Sequence, residues 1–573
     1  MSAFSGLFFR HFRNAQREGM IDRLSLSVAA NGFGRPTSVL SSPDAYIVKF
    51  DPGAYGSAGS LGPDGVCLSV MAGHPYVDGV PVGDRREHLR VLADYVRGGE
   101  VNRFSEARGS FCAAFAIESD HRLILAADCL GIRPLYYYAD ETVVLYSTTL
   151  RIIAGYLGST EVDERGVIEL AALGFSLADR TQYKNVKYVP GGCAVIFSES
   201  VSETSSYWNW KGPSSSTYDA ASALRRVYET FHDAVRVRLG SDRHAMAFLT
   251  GGLDSRCVVS AIRQAGASVS TVNFAPPHSQ DLVFGQRLSR AIGTQHLELP
   301  MPRTSVAGKI ATVMPQWLKT VAAAGVTPEH PLLVWSGDGG SVGLGHVYLN
   351  DEMVDLAESG RTDDALRLLL KVNTWQVSVG VLQPALAVKA RDFLLNGLRE
   401  ELARIKSGDR GRALHILLMV TDQRRHIVDH FERIYEHACE MQMPFFDRDF
   451  LKAVLSQPVR PFLAHRFYNQ WLKLFPEAIQ TVPWQVYPNH EPCPIPVEEE
   501  LTYQWDERAH RHTAAAARRA SSRRILSVLL NRRYRNTGIS GPRLALVWLV
   551  TTLGIRDYGY ALAFAETVCA ARR

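Results

Sequence analysis

Cysteine is scarce in this chain: eight in 573 residues, at positions 67, 112, 129, 193, 257, 439, 493 and 569. None forms a C-x-x-C pair or joins histidines at metal-ligand spacing, so neither a disulfide framework nor a zinc site is expected. They read as small buried hydrophobes of a reducing compartment. Long apolar runs are lacking too. The stretch MSAFSGLFFRHFRNAQREG has no continuous apolar region of secretion-signal length. Leu544 to Leu553 (LALVWLVTTL) is too short to span a bilayer and is expected to be a core helix. Nor does charge of one sign dominate: 63 Lys and Arg against 58 Asp and Glu give a net charge of +5, too mild to call for nucleic acid. A cytoplasmic protein with no membrane span and no nucleic-acid partner is the expectation. Its 573 residues exceed what one core supports, so two or more domains follow.

What is present is organised around Phe248-Leu249-Thr250-Gly251-Gly252-Leu253-Asp254-Ser255. The apolar Ala245 to Leu249 fits a short buried strand, and Arg256 to Ile262 has helical spacing. Strand, glycine turn and helix is the geometry that aims backbone N–H groups at an anion. Paired glycines admit a phosphate without a Cβ clash. Ser255 can cap the helix or bond a phosphate oxygen, and Asp254 can hold a Mg²⁺ that bridges phosphates. Ser268 to Ala275 reads as a second strand, Gln280 to Ile292 as a helix stopped by Gly293, and Gln295 to Leu299 as a third strand. Repeated βα units predict a doubly wound parallel sheet with its ligand at the carboxyl ends of the strands.

Residues 1–210 are strand-rich. Short apolar runs at Val66 to Ala72, Gly109 to Glu118, His121 to Ala127, Leu135 to Tyr138 and Val143 to Ser147 are separated by turn residues. Helices fit His88 to Val96 and Glu164 to Leu173, and Tyr183 to Phe197 suggests a closing hairpin around Pro190-Gly191-Gly192. A layered α+β domain is expected there. Lys211 to Thr217, with its Gly-Pro-Ser-Ser-Ser core, reads as a linker. Tyr218 to Arg236 reads as an amphipathic helix opening the 218–573 domain.

These motifs carry a resemblance. The 248–255 string resembles the S-G-G-x-D-S pyrophosphate loop of the ATP-pyrophosphatases, with Thr250 in place of the first Ser. Asp128-Cys129-Leu130-Gly131-Ile132-Arg133-Pro134-Leu135-Tyr136-Tyr137 resembles the D-x-x-G-x-[RK]-P-L-Y-Y stretch of the glutaminase-type domain of asparagine synthetases. Arg108-Gly109-Ser110-Phe111, Pro190-Gly191-Gly192 and Tyr207-Trp208 match further turns of that domain. The resemblance implies an N-terminal-nucleophile (Ntn-type) αββα domain over 1–210, followed by an ATP-dependent synthetase domain with helical additions. It implies ATP and Mg²⁺ as cofactors. It places Leu249, Thr250, Gly251, Gly252, Asp254 and Ser255 on the nucleotide, with Asn273 and Phe274 at the adenine end of the second strand. Asp281 is either a helix N-terminal charge or a neighbour of the phosphates.

Trp335-Ser336-Gly337-Asp338-Gly339-Gly340-Ser341 resembles the family's S-G-[ED]-G-[SG]-D-E loop. That implies nucleotide contacts at Gly337 and Gly339 and a catalytic and metal-binding Asp338, while Ser341 replaces a usual Asp ligand. Glu440-Met441-Gln442-Met443-Pro444-Phe445-Phe446-Asp447 resembles [VL]-E-x-R-x-P-[FY]-L-D, in which Glu440 would orient and deprotonate the attacking amine. Its alternative is a carboxylate paired with Arg424 or Arg425. The family's Arg-x-Lys should fall near Val482-Pro483-Trp484, where there is no Lys; Lys473, His465, Arg466 or His490 are the substitutes in range.

Two departures touch the first domain. The family's glutaminase needs Cys directly after the initiator Met, and this chain has Ser2. Its Asn-Gly pair is replaced by Ala72-Gly73-His74-Pro75. A silent glutaminase follows, with the amine delivered in the substrate. Among family branches, lasso-peptide macrolactam synthetases fit the Gly-Asp-Gly-Gly loop, the absent Lys, the length and the Arg-rich Glu507 to Arg535. That implies a precursor-peptide substrate, with a leader peptidase and a leader-binding protein as partners. The rivals are a β-lactam or carbapenam synthetase, a tRNA-modifying adenylating enzyme and a non-catalytic scaffold.

Overall fold

The computed structural model describes residues 2–11, 14–57, 59–62, 67–81, 84–158, 161–213, 218–299, 306–373, 376–423, 427–428, 431, 439–503 and 522–569. Within them the first half builds two six-stranded antiparallel sheets from β1 (Ala3–Phe9), β2 (Ser38–Ser41), β3 (Ala45–Phe50), β4 (Ser60–Leu61), β5 (Cys67–Gly73), β6 (Phe111–Ile117), β7 (Arg122–Ala127), β8 (Tyr136–Ala139), β9 (Val143–Ser147), β10 (Val186–Tyr188), β11 (Cys193–Phe197) and β12 (Ser202–Ser206). One sheet runs β10-β8-β9-β1-β3-β2 and the other β12-β11-β7-β6-β5-β4.

The apolar runs end up as β5 to β9. β1, β2, β3, β4 and β12 were not anticipated; of these β1 lies between β9 and β3 with all seven residues buried. Both of its faces are covered. Phe4 and Phe8 join Val70, Ala114 and Leu125 between the sheets. Ala3, Leu7 and Phe9 join Leu24 and Ile153 from the helices Asn14–Ala30 and Leu150–Leu157. With no polar face, β1 has no period-2 alternation to read. The second sheet's outer face packs under the helix Arg85–Arg97, so the order is helix, sheet, sheet, helix.

Tyr183 to Phe197 is not a hairpin. β10 pairs with β8 in one sheet and β11 with β7 in the other. The Pro190–Gly192 turn carries the chain between layers, tied by the Gly192 N–H to the Asp128 carbonyl at 2.8 Å.

The second half is a five-stranded parallel sheet, β15-β14-β13-β16-β17, made of β13 (His244–Phe248), β14 (Ser268–Asn273), β15 (Gln295–Glu298), β16 (Leu333–Trp335) and β17 (Glu440–Gln442). Its helices lie on both faces. Leu253–Gln264, Gln280–Ile292 and Ala220–Leu239 pack on one, through Cys257, Val258, Phe284 and Phe231. Val306–Ala323 packs on the other, with Trp317 against Met246 and Val334. Local signals set the ends: the Ser279 hydroxyl caps Leu282 N–H, and Gly293 at φ 66° closes the same helix.

The helices between β16 and β17, and those of the C-terminus, form a further apolar core that includes Val167 and Ile168 of the first half. The helix Gly541–Thr552 belongs to it but is not a core helix: Leu544 is buried, whereas Leu546 and Leu549 are 62% and 46% exposed. Lys211 bridges to Lys406; linker positions 214–217, Arg424 and Arg425, and Arg-rich positions 508–519 lie outside the described residues. Among those residues no helix is long and apolar enough to cross a membrane.

Candidate functional site

Two glycine loops leave neighbouring parallel strands, β13 and β16, at their carboxyl ends and meet. The first turns in on itself. Ser255 Oγ accepts from Thr250 N–H at 3.0 Å, and Thr250 Oγ1 accepts from Gly252 N–H at 3.3 Å. The Gly251 N–H donates at 3.1 Å to a carboxylate oxygen of Asp281, whose other donor is the Gln485 amide. A carboxyl oxygen therefore already accepts from the loop's amide, the kind of bond a phosphate oxygen would make. Desolvation raises the Asp281 carboxyl above its ordinary range. Leu249 is buried beneath the loop and donates to the Val272 carbonyl, while Asn273 Nδ2 donates to the Asp281 carbonyl at 2.9 Å. Phe274 packs its ring on Phe248, 5.8 Å between centroids.

The second loop lies directly on the first. A Cβ on Gly337 would stand 2.6 Å from the Ser255 nitrogen, so the loops touch through bare backbone. Gly339, at φ 95°, turns under the Phe446 ring. Asp338 accepts from Ser336 Oγ at 2.7 Å. Asp254 is the meeting point: its Oδ2 accepts from Ser341 Oγ at 2.6 Å and its Oδ1 from Tyr468 O–H at 2.7 Å, while Tyr487 O–H backs Ser341 at 3.0 Å. Desolvation and the Asp338 charge push the Asp254 carboxyl from 3.8 up to about 6, against the opposing pull of its hydroxyl donors. A cation between these carboxylates would relieve both causes. Among the described residues no group of three or more His, Cys, Asp or Glu could hold a metal. Two carboxylates beside a glycine loop would nonetheless suit Mg²⁺, which keeps several waters and needs only one or two protein carboxylates.

Sequence reasoning missed Tyr468, Gln485, Tyr487 and Arg256. The last is fully buried and fills the place where a Lys was sought: its guanidinium donates to the carbonyls of Ile479, Val482 and Pro483, each at 2.8 Å. Its position directly after Ser255, on a helix whose Cys257 and Val258 are buried, was the available signal. Of the four substitutes considered for that Lys, Lys473 and Arg466 are exposed, bonded to Gln470 and Asp351. His465 meets Tyr487 edge-on and His490 lies tilted against it, with centroids 5.5 and 5.7 Å away.

Glu440 is not at this centre. As the first residue of β17 it lies at the amino end of the sheet, where its side chain enters the first half. Ser2 donates to Glu440 Oε1 from both its N–H and its hydroxyl, at 2.6 Å each, and Arg133 donates to Oε2. Ser2 Oγ in turn accepts from Gly73 N–H and Arg85, both at 3.2 Å. Burial alone would raise the Glu440 carboxyl, but Arg133, Arg85 and the Ser2 bond outweigh it and hold it below the usual range. The role of base beside Asp338 does not suit that placement. His74, standing where an Asn was expected, is buried and stacked on Tyr76 at 3.9 Å.

Residues 89–208 match the glutamine amidotransferase domain family, and residues 226–330 match the asparagine synthase family. The chain is 23% identical over 294 residues to an asparagine synthetase [glutamine-hydrolyzing] of Bacillus subtilis, covering 49% of this chain and 46% of that one. A second B. subtilis asparagine synthetase is 30% identical over 152 residues, 26% and 24% of the two chains. The carboxyethyl-arginine β-lactam-synthase of Streptomyces clavuligerus is 24% identical over 247 residues, 42% and 44%. The chain thus spans less than half the length of each of these relatives. A solved glutamine phosphoribosylpyrophosphate amidotransferase from B. subtilis reaches a TM-score of 0.25 at 9% identity, over 58% of this chain and 81% of that one, too weak a likeness to bear on the fold.

Proposed function

Because the chain combines the two domain types of the asparagine synthetase family, we propose that it is an ATP-dependent, AMP-forming amide ligase. The observation that carries the proposal is the meeting of two glycine loops at Asp254, with Asp338 beside it, at the carboxyl ends of parallel strands. Ligands of open α/β sheets bind in that position. Thr250, Gly251, Gly252 and Ser255 would cradle the phosphates, and Gly337 and Gly339 would shape the wall opposite. Asp254 and Asp338 would hold Mg²⁺, which neutralises charge on the leaving pyrophosphate. In the reaction a substrate carboxylate oxygen attacks the α-phosphorus and pyrophosphate leaves. An amine then attacks the acyl carbon, and AMP departs with the electrons of the broken C–O bond. The protein contributes positioning and fixed dipoles.

The amine comes with the substrate. Ser2 is committed to Glu440, which supports a glutamine-independent enzyme. The substrate we favour is a precursor peptide whose N-terminal amine is joined to an Asp or Glu side chain, as in lasso-peptide macrolactam synthetases. The Gly-Asp-Gly-Gly loop, the absence of Lys at 482–484 and the Arg-rich 507–535 support this choice. A leader peptidase and a leader-binding protein are the partners it calls for, and the cytoplasm is the compartment. Similarity to the β-lactam synthase favours a second reading, ring closure of a small β-amino acid.

The test incubates the protein with ATP, Mg²⁺ and a leader-processed precursor, without glutamine. Release of AMP with loss of one water from the peptide is expected. ADP as product sinks the mechanism. AMP formation with a β-amino acid but no peptide moves the assignment to the second reading.

A further inference from the structure

Behind the second glycine loop lies a buried trio that the reading above does not use: His346, Arg412 and His415, each no more than 1% exposed. His346 follows the short helix Gly340–Gly343 that ends the loop, while Arg412 and His415 are one turn apart on the helix Arg410–Gln423. The imidazoles stack at 3.5 Å and 7°, and Phe462 lies 4.9 Å from both the His346 ring and the Arg412 guanidinium.

The hydrogen bonds fix which nitrogens carry protons. Arginine only donates. Its Nη1 lies 2.6 Å from His346 Nε2 and 2.8 Å from His415 Nδ1, so both of those nitrogens accept. Each ring then holds its proton on the other nitrogen. His346 Nδ1 donates to the Leu344 carbonyl at 3.0 Å, and His415 Nε2 donates to the Val342 carbonyl at 2.9 Å. The rest of the guanidinium serves the Gln457 and Pro458 carbonyls at 3.0 Å. A carboxylate in either histidine's place would pair with Arg412 but could donate nothing to the loop. A neutral imidazole accepts on one edge and donates on the other, as among side chains an amide also can.

Val342 and Leu344 lie one and three residues after Ser341, whose hydroxyl binds Asp254. We propose that Arg412, His346 and His415 are positioning residues for ligation: through two neutral rings they hold the loop's carbonyls and so fix Ser341 and Gly337–Gly340 against Asp254. The catalytic part of this rests on the ligase reading. Around the trio, Asp409 caps Arg412 N–H at 2.7 Å and His465 approaches His346. Burial, with the Arg412 charge, keeps both rings well below the ordinary imidazole range and hence uncharged at neutral pH.

The test uses the full-length protein and four variants: His415→Leu, His415→Gln, Arg412→Met and Arg412→Lys, the last guarding against an unfolded Arg412→Met. Amide exchange is followed over residues 340–347, and AMP formation is measured with the processed precursor. His415→Leu and Arg412→Met should exchange faster in that segment and lose at least about tenfold in kcat per folded molecule with KM for ATP little changed. His415→Gln, which can still donate to the Val342 carbonyl, should recover most of both. Unchanged exchange over 340–347 overturns the clamp. Faster exchange with undiminished kcat, or His415→Gln no better than His415→Leu, overturns the positioning role. Wild-type protein that forms no AMP overturns the ligase reading instead, and the exchange data then decide the clamp alone.

Discussion

Two carboxylates, Glu440 and Asp254, lie at opposite ends of one parallel sheet and are treated in opposite ways. Glu440 at the amino end is completely enclosed and paired with Arg133, with Ser2 on its other oxygen. Its carboxyl is held down by fixed positive charge. Asp254 at the carboxyl end is met by two hydroxyls and faces Asp338, and its carboxyl rises to about 6. A carboxylate whose counter-charge is built into the fold is finished; one that desolvation leaves short of positive charge is receptive. The first pins two halves of the chain together. The second is where a metal-bound anion would be welcome.

The widest effect expected from breaking this contrast is at Asp254. Asp254→Asn should lower AMP formation by about 1,000-fold, since it removes the charge that would hold Mg²⁺. It should not lower the Tm. The folded-state pKa of Asp254 is raised, so its contribution to stability is full below about 4 and lost as pH rises through about 6; the amide escapes that loss at neutral pH. Nucleotide binding runs the other way, because the ionised form is the one that binds. Stabilisation by Mg²⁺-ATP, read as a Tm shift, should grow between pH 5 and pH 7.5 in the wild type and stay small throughout in the variant. A variant retaining full activity would remove Asp254 from the mechanism.

At the opposite end the effect is on stability. Glu440→Gln strands Arg133 in the interior and should cost about 3–5 kcal/mol in chemical denaturation. Replacing the pair together, Arg133→Met with Glu440→Leu, should cost far less than the sum of the single changes. Additive costs would mean that the two residues do not act as a unit. A smaller loss is expected at Gly337→Ala, whose methyl would press on the Ser255 nitrogen. Overpacking of that kind costs about 1–3 kcal/mol. It should also weaken ATP binding, as titration calorimetry would record, because the two loops can no longer close on each other.

The parts of this contrast visible in the sequence were the local ones. Glycines and buried runs marked β13 to β15 and both loops, and the helix Gln280–Ile292 could be read because its stop, Gly293, directly follows it. The placement of Glu440 was not legible. Its motif set it beside Asp338, but β17 has only three residues, and its partner Ser2 is 438 residues away. No periodicity in three residues says which end of a sheet a side chain serves. Tyr468 and Tyr487 were missed for a related reason: they reach Asp254 and Ser341 from a distant stretch whose own pattern refers only to its own packing. At Pro190–Gly192 the turn residues were read and their consequence was not, since a turn signal does not say whether the chain returns to the same sheet.

The smallest effect expected is the most direct test of whether the amino-end centre is closed. Ser2→Cys restores the nucleophile expected of a glutaminase. A thiol donates more weakly than a hydroxyl, so the variant should lose about 1 kcal/mol through its bond to Glu440. It should release no glutamate from glutamine. The carboxylate of Glu440 lies 2.6 Å from the hydroxyl that the thiol would replace, and Arg85 is engaged with Asp51 and the Gly73 and Ser57 carbonyls, so Glu440 and Arg85 already occupy the surroundings of the nucleophile. Glutamate release by Ser2→Cys alone would show the pocket to be open and its two halves separable. Release only when Glu440→Ala is added would identify the single carboxylate that shuts it.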